Sequence, residues 1–255
     1  MSKEFLPTIL KQKEQEVAVM SYEELQPLRS TYSLYEYLKS HPQELQLIAE
    51  VKKASPSLGD INLGVDIVEQ ARTYERCGAT MISVLTDEIF FKGHLDYLRE
   101  ISSRVTIPTL NKDFIINEKQ IVRARNAGAT VILLIVAALS EKRLQELYDF
   151  ATGLGLEILV ETHNLAELEI AHRIGARIIG VNNRNLVTFE TDINTSLQLS
   201  AHFKDDRVYV SESAIFSKED AELVAPYFHA VLVGTALMQA EDVAEKIKEL
   251  KIDKG

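Results

Sequence analysis

Charged or amide side chains close short apolar runs at five places in this chain. The runs end as Ala49-Glu50-Val51-Lys52, Leu110-Asn111-Lys112, Leu159-Val160-Glu161, Gly180-Val181-Asn182 and Val210-Ser211-Glu212. Residues two apart on an extended strand share a face. Glu50 with Lys52, Leu110 with Lys112, Leu159 with Glu161, Gly180 with Asn182 and Arg184, and Val210 with Glu212 therefore each continue one face. Two lysines and three carboxylates in one partly desolvated place shift one another's pKa values and offer acid–base chemistry. A lysine crowded by cations is pushed towards neutrality and serves as a general acid. A glutamate sheltered from water is pushed up and serves as a base. Lys112 is the expected central acid. Each residue also has a plain reading: Glu50–Lys52 as an ion pair, Asn182 as a turn cap, Lys112 as a solvated loop lysine.

For these groups to meet, the elements must bring the run ends together. Apolar, Val- and Ile-rich runs occur at residues 45–51, 81–85, 106–110, 131–136, 156–160, 178–181, 207–210 and 230–233. Their spacing suits repeated βα units. Nearly continuous apolar runs read as strands buried on both faces, as in a parallel sheet covered by helices. Between them, Asn117 with Gln120 and Asn164 with Glu167 resemble capping boxes that start helices. Leu165, Leu168, Ala171 and Ile174 make one apolar helical face, ended by Gly175, and a last helix is expected at 241–250. Cys77-Gly78-Ala79-Thr80, Ala127-Gly128-Ala129-Thr130 and Ile174-Gly175-Ala176-Arg177 repeat one device, a glycine closing a helix before the next strand. A doubly wound open sheet has a similar local pattern. Eight units without a Gly-rich dinucleotide loop after the first run favour a closed (β/α)8 TIM barrel.

The catalytic barrel is assigned to residues 45–255, and residues 1–44 to an N-terminal helical extension packed on it. In the extension, Ile9, Lys13, Glu16 and Val17 keep helical spacing after Pro7-Thr8, and Pro27, Ser30 and Ser33 break the pattern. Tyr32, Leu34, Tyr35 and Leu38 are its packing residues. Active sites of such barrels lie at the C-terminal ends of the strands, where all five polar run ends would stand.

The formal net charge of −10 repels nucleic acid and anionic membrane. No apolar run approaches the ~20 residues of a membrane helix. The start of the chain does not read as a signal peptide. The single cysteine, Cys77, excludes an internal disulfide, fits a reducing cytoplasm and reads as a buried filler. The six histidines show no helical i, i+4 pair and no Cys/His cluster, so no metal or other cofactor is expected. An anionic phosphate substrate would need a local cradle. Ser211-Glu212-Ser213-Ala214 and Val233-Gly234-Thr235-Ala236 follow the last two runs, where such barrels hold phosphate. Ser55 adds a hydroxyl from a third loop. Small polar residues are also what turns require. Glu212 would repel phosphate and must face the reacting centre instead.

Several stretches resemble the indole-3-glycerol phosphate synthase family of tryptophan biosynthesis. They are Ile48-Ala49-Glu50-Val51-Lys52-Lys53-Ala54-Ser55-Pro56-Ser57, Ser83-Val84-Leu85-Thr86-Asp87, Phe91-Lys92-Gly93, Lys112-Asp113-Phe114, Leu133-Leu134-Ile135-Val136, Gly180-Val181-Asn182-Asn183-Arg184 and Val210-Ser211-Glu212-Ser213. The resemblance implies decarboxylating ring closure and dehydration of 1-(2-carboxyphenylamino)-1-deoxyribulose 5-phosphate. It makes Lys112 the general acid at the carbonyl and Glu161 a general base. Glu50 and Lys52 assist, Asn182 binds hydroxyls or the carboxylate, and Glu212 completes the set. Ser55, Ser213, Gly234 and Thr235, with Ala214 in the same loop, hold the phosphate. Leu85, Phe91, Phe114 and Leu133 surround the aromatic ring, and Arg184 supports the carboxylate. Three positions depart from the family's habit. Ala214 stands where glycine is common, Leu58 where lysine is frequent, and Asn111 where arginine or methionine is usual. A methyl group at 214 would tighten the cradle or lock out a left-handed backbone. Outside the family, a Schiff-base aldolase using Lys112 or Lys52, or a barrel that only senses a phosphate, would carry part of the same pattern. The expected protein is cytoplasmic, a monomer or weak homo-oligomer, with no nucleic-acid or membrane partner.

Overall fold

The computed structural model describes residues 5–28, 32–55, 59–60 and 64–255. Eight parallel strands close into a barrel in chain order. They are β1 (Gln46–Val51), β2 (Met81–Leu85), β3 (Thr109–Lys112), β4 (Val131–Ile135), β5 (Glu157–Thr162), β6 (Ile178–Asn182), β7 (Val208–Glu212) and β8 (Ala230–Val233). Closure is made at β1, where Ile48 pairs with Met81 of β2 on one side and Leu232 of β8 on the other.

Every expected run is a barrel strand; 81–85 and 230–233 keep both ends, and the other six shift at one or both. The third begins at Thr109 and not at 106, because Glu75 Oε1 takes the backbone N–H groups of Thr106 at 2.6 Å and Ile107 at 3.2 Å. Pro108 has no N–H to offer the ladder. At their other ends, β3, β5, β6 and β7 run on through Lys112, Glu161, Asn182 and Glu212. Strand pairing is made by the main chain, so a polar side chain does not end it. Glu161 pairs with Ile135 and Gly180, and Asn182 with Glu212.

Alternation along the strands separates two apolar groups. Ile48, Met81, Leu110, Leu133, Leu159, Val210 and Leu232 fill the barrel interior, and Leu47, Val84, Ile132, Val160, Ile179 and Val231 pack outward against helices. Asn117 and Gln120 form a complete capping box at helix Glu118–Asn126. Asn164 caps helix Leu165–Arg173 through the Glu167 N–H, at 3.0 Å. Gly78, Gly128 and Gly175 all have positive φ after their helices, as the repeated motif requires. The last helix is Val243–Leu250.

The N-terminal residues reach both ends of the barrel. Helix α1 (Phe5–Val19) lies over the C-terminal ends of the strands, where Lys13 meets Asp87 and Asp113. Residues 20–28 then run along helix Glu118–Asn126. Lys119 Nζ donates to the Met20 carbonyl at its start, and Gln26 N donates to Asn126 Oδ1 at its end. Helix α2 (Leu34–Ser40) closes the opposite end of the barrel. Its buried Leu34 and Leu38 join the interior cluster, while Glu157 at the start of β5 accepts from Ser33 Oγ at 2.8 Å and Tyr35 N at 3.1 Å. Cys77 is half-buried at the end of helix Ile67–Arg76 and packs against the outer core.

Candidate active site

Lys112, at the end of β3, points inward with its side chain only 16% exposed. Its ammonium nitrogen stands 3.1 Å from Glu50 Oε2 of β1 and 3.1 Å from Glu212 Oε2 of β7. Lys52 Nζ is 2.9 Å from the other oxygen of Glu50. Glu161 of β5 lies on the same level, near enough for its charge to act on Lys112. The Asn182 amide donates to Glu161, while its oxygen accepts from the Arg184 N–H at 3.0 Å. Five strands thus deliver their last inward residues to one buried polar cluster.

The electrostatics differ from the sequence expectation at Lys112. Lys112 has Lys52 near it, on the far oxygen of Glu50, but carboxylates dominate its surroundings. Burial pulls its pKa down, but the charges of Glu50, Glu212 and Glu161 outweigh burial and hold it above the ordinary lysine range. Glu161 is not the raised carboxylate. Burial pushes it up, but His163, Lys112 and Asn182 hold it below the ordinary glutamate value. Glu212 takes that place, because burial pushes it up to about 7, against the pull of Lys112 and with help from the charges of Glu161 and Glu50. Glu50, buried as fully, is lowered to about 2 because Lys112 and Lys52 both face it. Among the described residues, Glu212 Oε1 has no hydrogen-bond partner, which suits a carboxyl that binds a proton near neutrality.

Two glycines make room for these carboxylates. A β-carbon on Gly180 would collide with Glu212 Oε1, and one on Gly234 would collide with Glu50 Oε1. Gly234 is therefore needed for space beside the Glu50–Lys52 pair, whatever else its loop does.

Above the polar floor is an open cleft of about 1020 Å³, part of it open to solvent. Leu85, Phe91, Phe114 and Leu133 line one side of it, and Arg184, Ser213, Ala214, Gly234 and Thr235 line the other. The rings of Phe91 and Phe114 are 6.1 Å apart. Arg184 is half-buried and donates to the Phe189 carbonyl at 2.9 Å. Phe189 meets Phe5 of α1 edge-on at 4.6 Å, so the extension contributes to the rim. Ser213 and Ala214 have φ of 63° and 61°. The methyl group at 214 therefore does not lock out the left-handed conformation; the chain adopts it with alanine. Asn183 braces this loop, donating to the Ser213 carbonyl at 3.1 Å and to Ser211 Oγ at 3.0 Å. Glu212 faces Lys112, away from the loop, as its charge demands. Ser55 lies on the short strand Ala54–Ser55, and Ser57 and Leu58 fall outside the described residues. The third departure, Asn111, is on the face opposite Lys112. It donates to Thr86 Oγ1, which donates to Asp113.

The family profile described as indole-3-glycerol phosphate synthase matches residues 6–250. The chain belongs to the indole-3-glycerol phosphate synthase family. It is 96% identical over 255 residues to the indole-3-glycerol phosphate synthase of Streptococcus sanguinis (strain SK36), covering 100% of both chains. The proteins of the same name from Streptococcus gordonii and Streptococcus mutans are 94% and 74% identical, again over 100% of both chains. The crystal structure of 3-hexulose-6-phosphate synthase from Salmonella typhimurium matches with a TM-score of 0.63 at 15% identity, over 81% of this chain and 96% of that one. At that identity it speaks for the barrel fold alone.

Within this member of the family, the roles of five residues at the cleft were not read from the sequence. Phe5 and Phe189 come from segments remote from any strand end, and no local pattern marks them. Gly180 and Asn183 sit inside the Gly180–Arg184 stretch, but their service to Glu212 and to the Ser213 loop depends on neighbours far along the chain. His163 had a signal: it stands two residues after Glu161, on the same face, where Glu50 and Lys52 stand on β1. Among the described residues, no cluster of His, Cys, Asp and Glu is arranged to hold a metal ion. None of the described helices is long and apolar enough to cross a membrane.

Proposed function

We propose that this cleft converts 1-(2-carboxyphenylamino)-1-deoxyribulose 5-phosphate to indole-3-glycerol phosphate, carbon dioxide and water. The observation that carries the reading is the Lys112 ammonium between Glu50 and Glu212, below a slot walled by Phe91 and Phe114. The slot takes the anthranilate ring. The phosphate goes to the loops of Ser213-Ala214 and Gly234-Thr235, with Ser55 as a third contact and Lys52 the near cation. Arg184 and Asn182 receive the carboxylate or sugar hydroxyls.

Ring closure joins the carboxyl-bearing ring carbon to the ketose carbonyl carbon. The carbonyl oxygen gains charge as that bond forms, and Lys112 donates a proton to it. A developing alkoxide is a stronger base than the lysine, so a raised lysine pKa does not prevent the transfer. Its benefit is that Lys112 stays protonated at neutral pH. The carbon–carboxyl bond then breaks, releasing carbon dioxide and leaving its electron pair in the ring system. Dehydration removes the new hydroxyl as water and a proton from the methylene carbon between it and the nitrogen, which forms the carbon–carbon double bond of the indole. Glu161, held ionised, is the base for that proton, and Glu212 is placed to return a proton to Lys112.

The same electrostatics weigh against an aldolase. A Schiff base requires a neutral amine, and carboxylates on two sides keep Lys112 charged. A sensor needs the loops but not this complete acid–base set. The reaction as written needs no cofactor. The lone Cys77 and net charge of −10 support a cytoplasmic enzyme, monomeric or weakly associated, with no nucleic-acid partner. The test is direct. Adding the carboxyphenylamino deoxyribulose phosphate should produce indole fluorescence, and borohydride should trap no covalent adduct. A folded protein that gives no fluorescence, or that is trapped by borohydride, overturns the reading.

A further inference from the structure

We propose that His163 is a positioning residue for the reaction, holding the Glu161 carboxylate in place and tying it to Glu167 on the following helix. The inference rests on the reading of Glu161 as the base.

His163 follows the end of β5, and its side chain is 11% exposed. The ring lies between two carboxylates. Nδ1 is 2.9 Å from Glu167 Oε2, and Nε2 is 3.2 Å from Glu161 Oε1. The second contact is longer and less well directed than the first. Burial alone would keep the ring neutral, but the two carboxylates outweigh it and push its pKa up to about 10. The ring is therefore a cation at neutral pH.

A capping role does not account for this arrangement. Helix Leu165–Arg173 is capped by Asn164 Oδ1, which accepts from the Glu167 N–H, and by Glu167 Oε2, which accepts from the His163 backbone N–H at 2.9 Å. Both caps use the main chain, so neither needs an imidazole. The ring's contact with Glu161 is left to be explained by the site. The other groups that face Glu161 are Lys112 from β3, Asn182 from β6 and, through its charge, Glu212 from β7. Glu212 opposes ionisation of Glu161, since like charges disfavour the charged form. Lys112 already has Glu50 and Glu212 to neutralise. His163 supplies the positive charge that lets Glu161 remain a carboxylate next to a second one. Glu167, fixed on the helix, keeps the ring from turning away.

The test compares His163→Gln, Glu167→Gln and Glu161→Gln with the native enzyme, using turnover of the carboxyphenylamino deoxyribulose phosphate across pH. Glu161→Gln must first lose most of kcat; if it does not, the reading of Glu161 as the base fails, and this inference with it. Given that loss, His163→Gln should lower kcat by about 10- to 100-fold, the scale of a misplaced reacting group, with KM within about twofold. The acidic limb of its kcat profile should move to higher pH by about one unit or more, as Glu161 loses an opposite charge. Glu167→Gln, which keeps the ring but frees it, should move the same limb by less. A His163→Gln enzyme with an unmoved acidic limb and native kcat would overturn the proposal, even if its melting temperature fell. Should His163→Gln not fold, Glu167→Gln decides alone: an unmoved limb there is the overturning result.

Discussion

Lys13 Nζ lies 2.9 Å from Asp113 Oδ1, one residue beyond Lys112. The same ammonium is 2.8 Å from Asp87 Oδ2, and the side chains of Lys13 and Asp87 are 3% and 0% exposed. Asp87 also caps the short helix that carries Phe91, accepting from Phe90 N at 2.7 Å. One lysine of the N-terminal helix thus joins the loops that bear Phe91 and Phe114. Lys13→Met leaves two carboxylates facing each other under an apolar side chain. Breaking a buried pair in this way costs about 3–5 kcal/mol. Urea denaturation should show a loss of that order, and Asp87→Asn combined with Lys13→Met should recover part of it. An unchanged midpoint for Lys13→Met would remove α1 from the structural support of the slot.

Lys112→Met should leave a folded protein that still binds substrate and loses kcat by about 10²- to 10⁴-fold, the range of a general acid. Equilibrium binding and single-turnover rates measured on one preparation separate the two effects. Near-native turnover would exclude Lys112 as the proton donor.

Glu212 should titrate near neutrality. In protein labelled with ¹³C at glutamate carboxyls, one resonance should move with a midpoint of about 7 and be missing from Glu212→Gln. Folding raises this pKa above the ordinary 4.5, so the folded state holds a proton that the unfolded chain releases. Glu212 therefore favours folding least above pH 7, and stability is lost through this group as pH rises from about 4.5 to about 7. Absence of a glutamate titrating above 6 would contradict the burial of Glu212 beside two other carboxylates.

Gly180→Ala should push the Glu212 carboxylate off Lys112, because the added methyl group occupies the Oε1 position. Overpacking of this kind typically costs about 1–3 kcal/mol, so the barrel should still fold. Turnover should fall at least about tenfold, as misplacement of a reacting group implies. Native kcat in this variant would show that the Lys112–Glu212 contact is dispensable.

Ala214→Gly should stabilise the protein. A left-handed alanine costs about 1–2 kcal/mol, part of which is offset by glycine's greater freedom in the unfolded chain. A net gain of about 0.5–1 kcal/mol should raise the melting temperature by about 1–4 °C in a chain of this size. Calorimetry checks it, and a lower melting temperature would mean that the Ala214 methyl group makes contacts worth more than its backbone strain.

Much of the barrel was legible in the chain because its causes are local. Alternation and Val/Ile-rich runs mark strands, Asn117 with Gln120 marks a helix start, and the glycines at 78, 128 and 175 mark helix ends. Each depends on neighbours a few residues away. The level at which Glu50, Lys112, Glu161, Asn182 and Glu212 stand was legible too, since two-residue periodicity carries the inward face to the strand end. The signs of the charge effects were not. Whether a lysine is pushed up or down depends on which groups lie within about 4–6 Å, and those groups are brought from other strands: Glu50 and Glu212 to Lys112, His163 and Lys112 to Glu161. The closing of the barrel around β1 and β8 decided those neighbours. It also decided that Gly180 must lack a side chain for the sake of Glu212, 32 residues away in sequence, and that a lysine at position 13 braces the loop beside Lys112. By itself the sequence specified which residues face inward; only the tertiary structure specified what each of them faces.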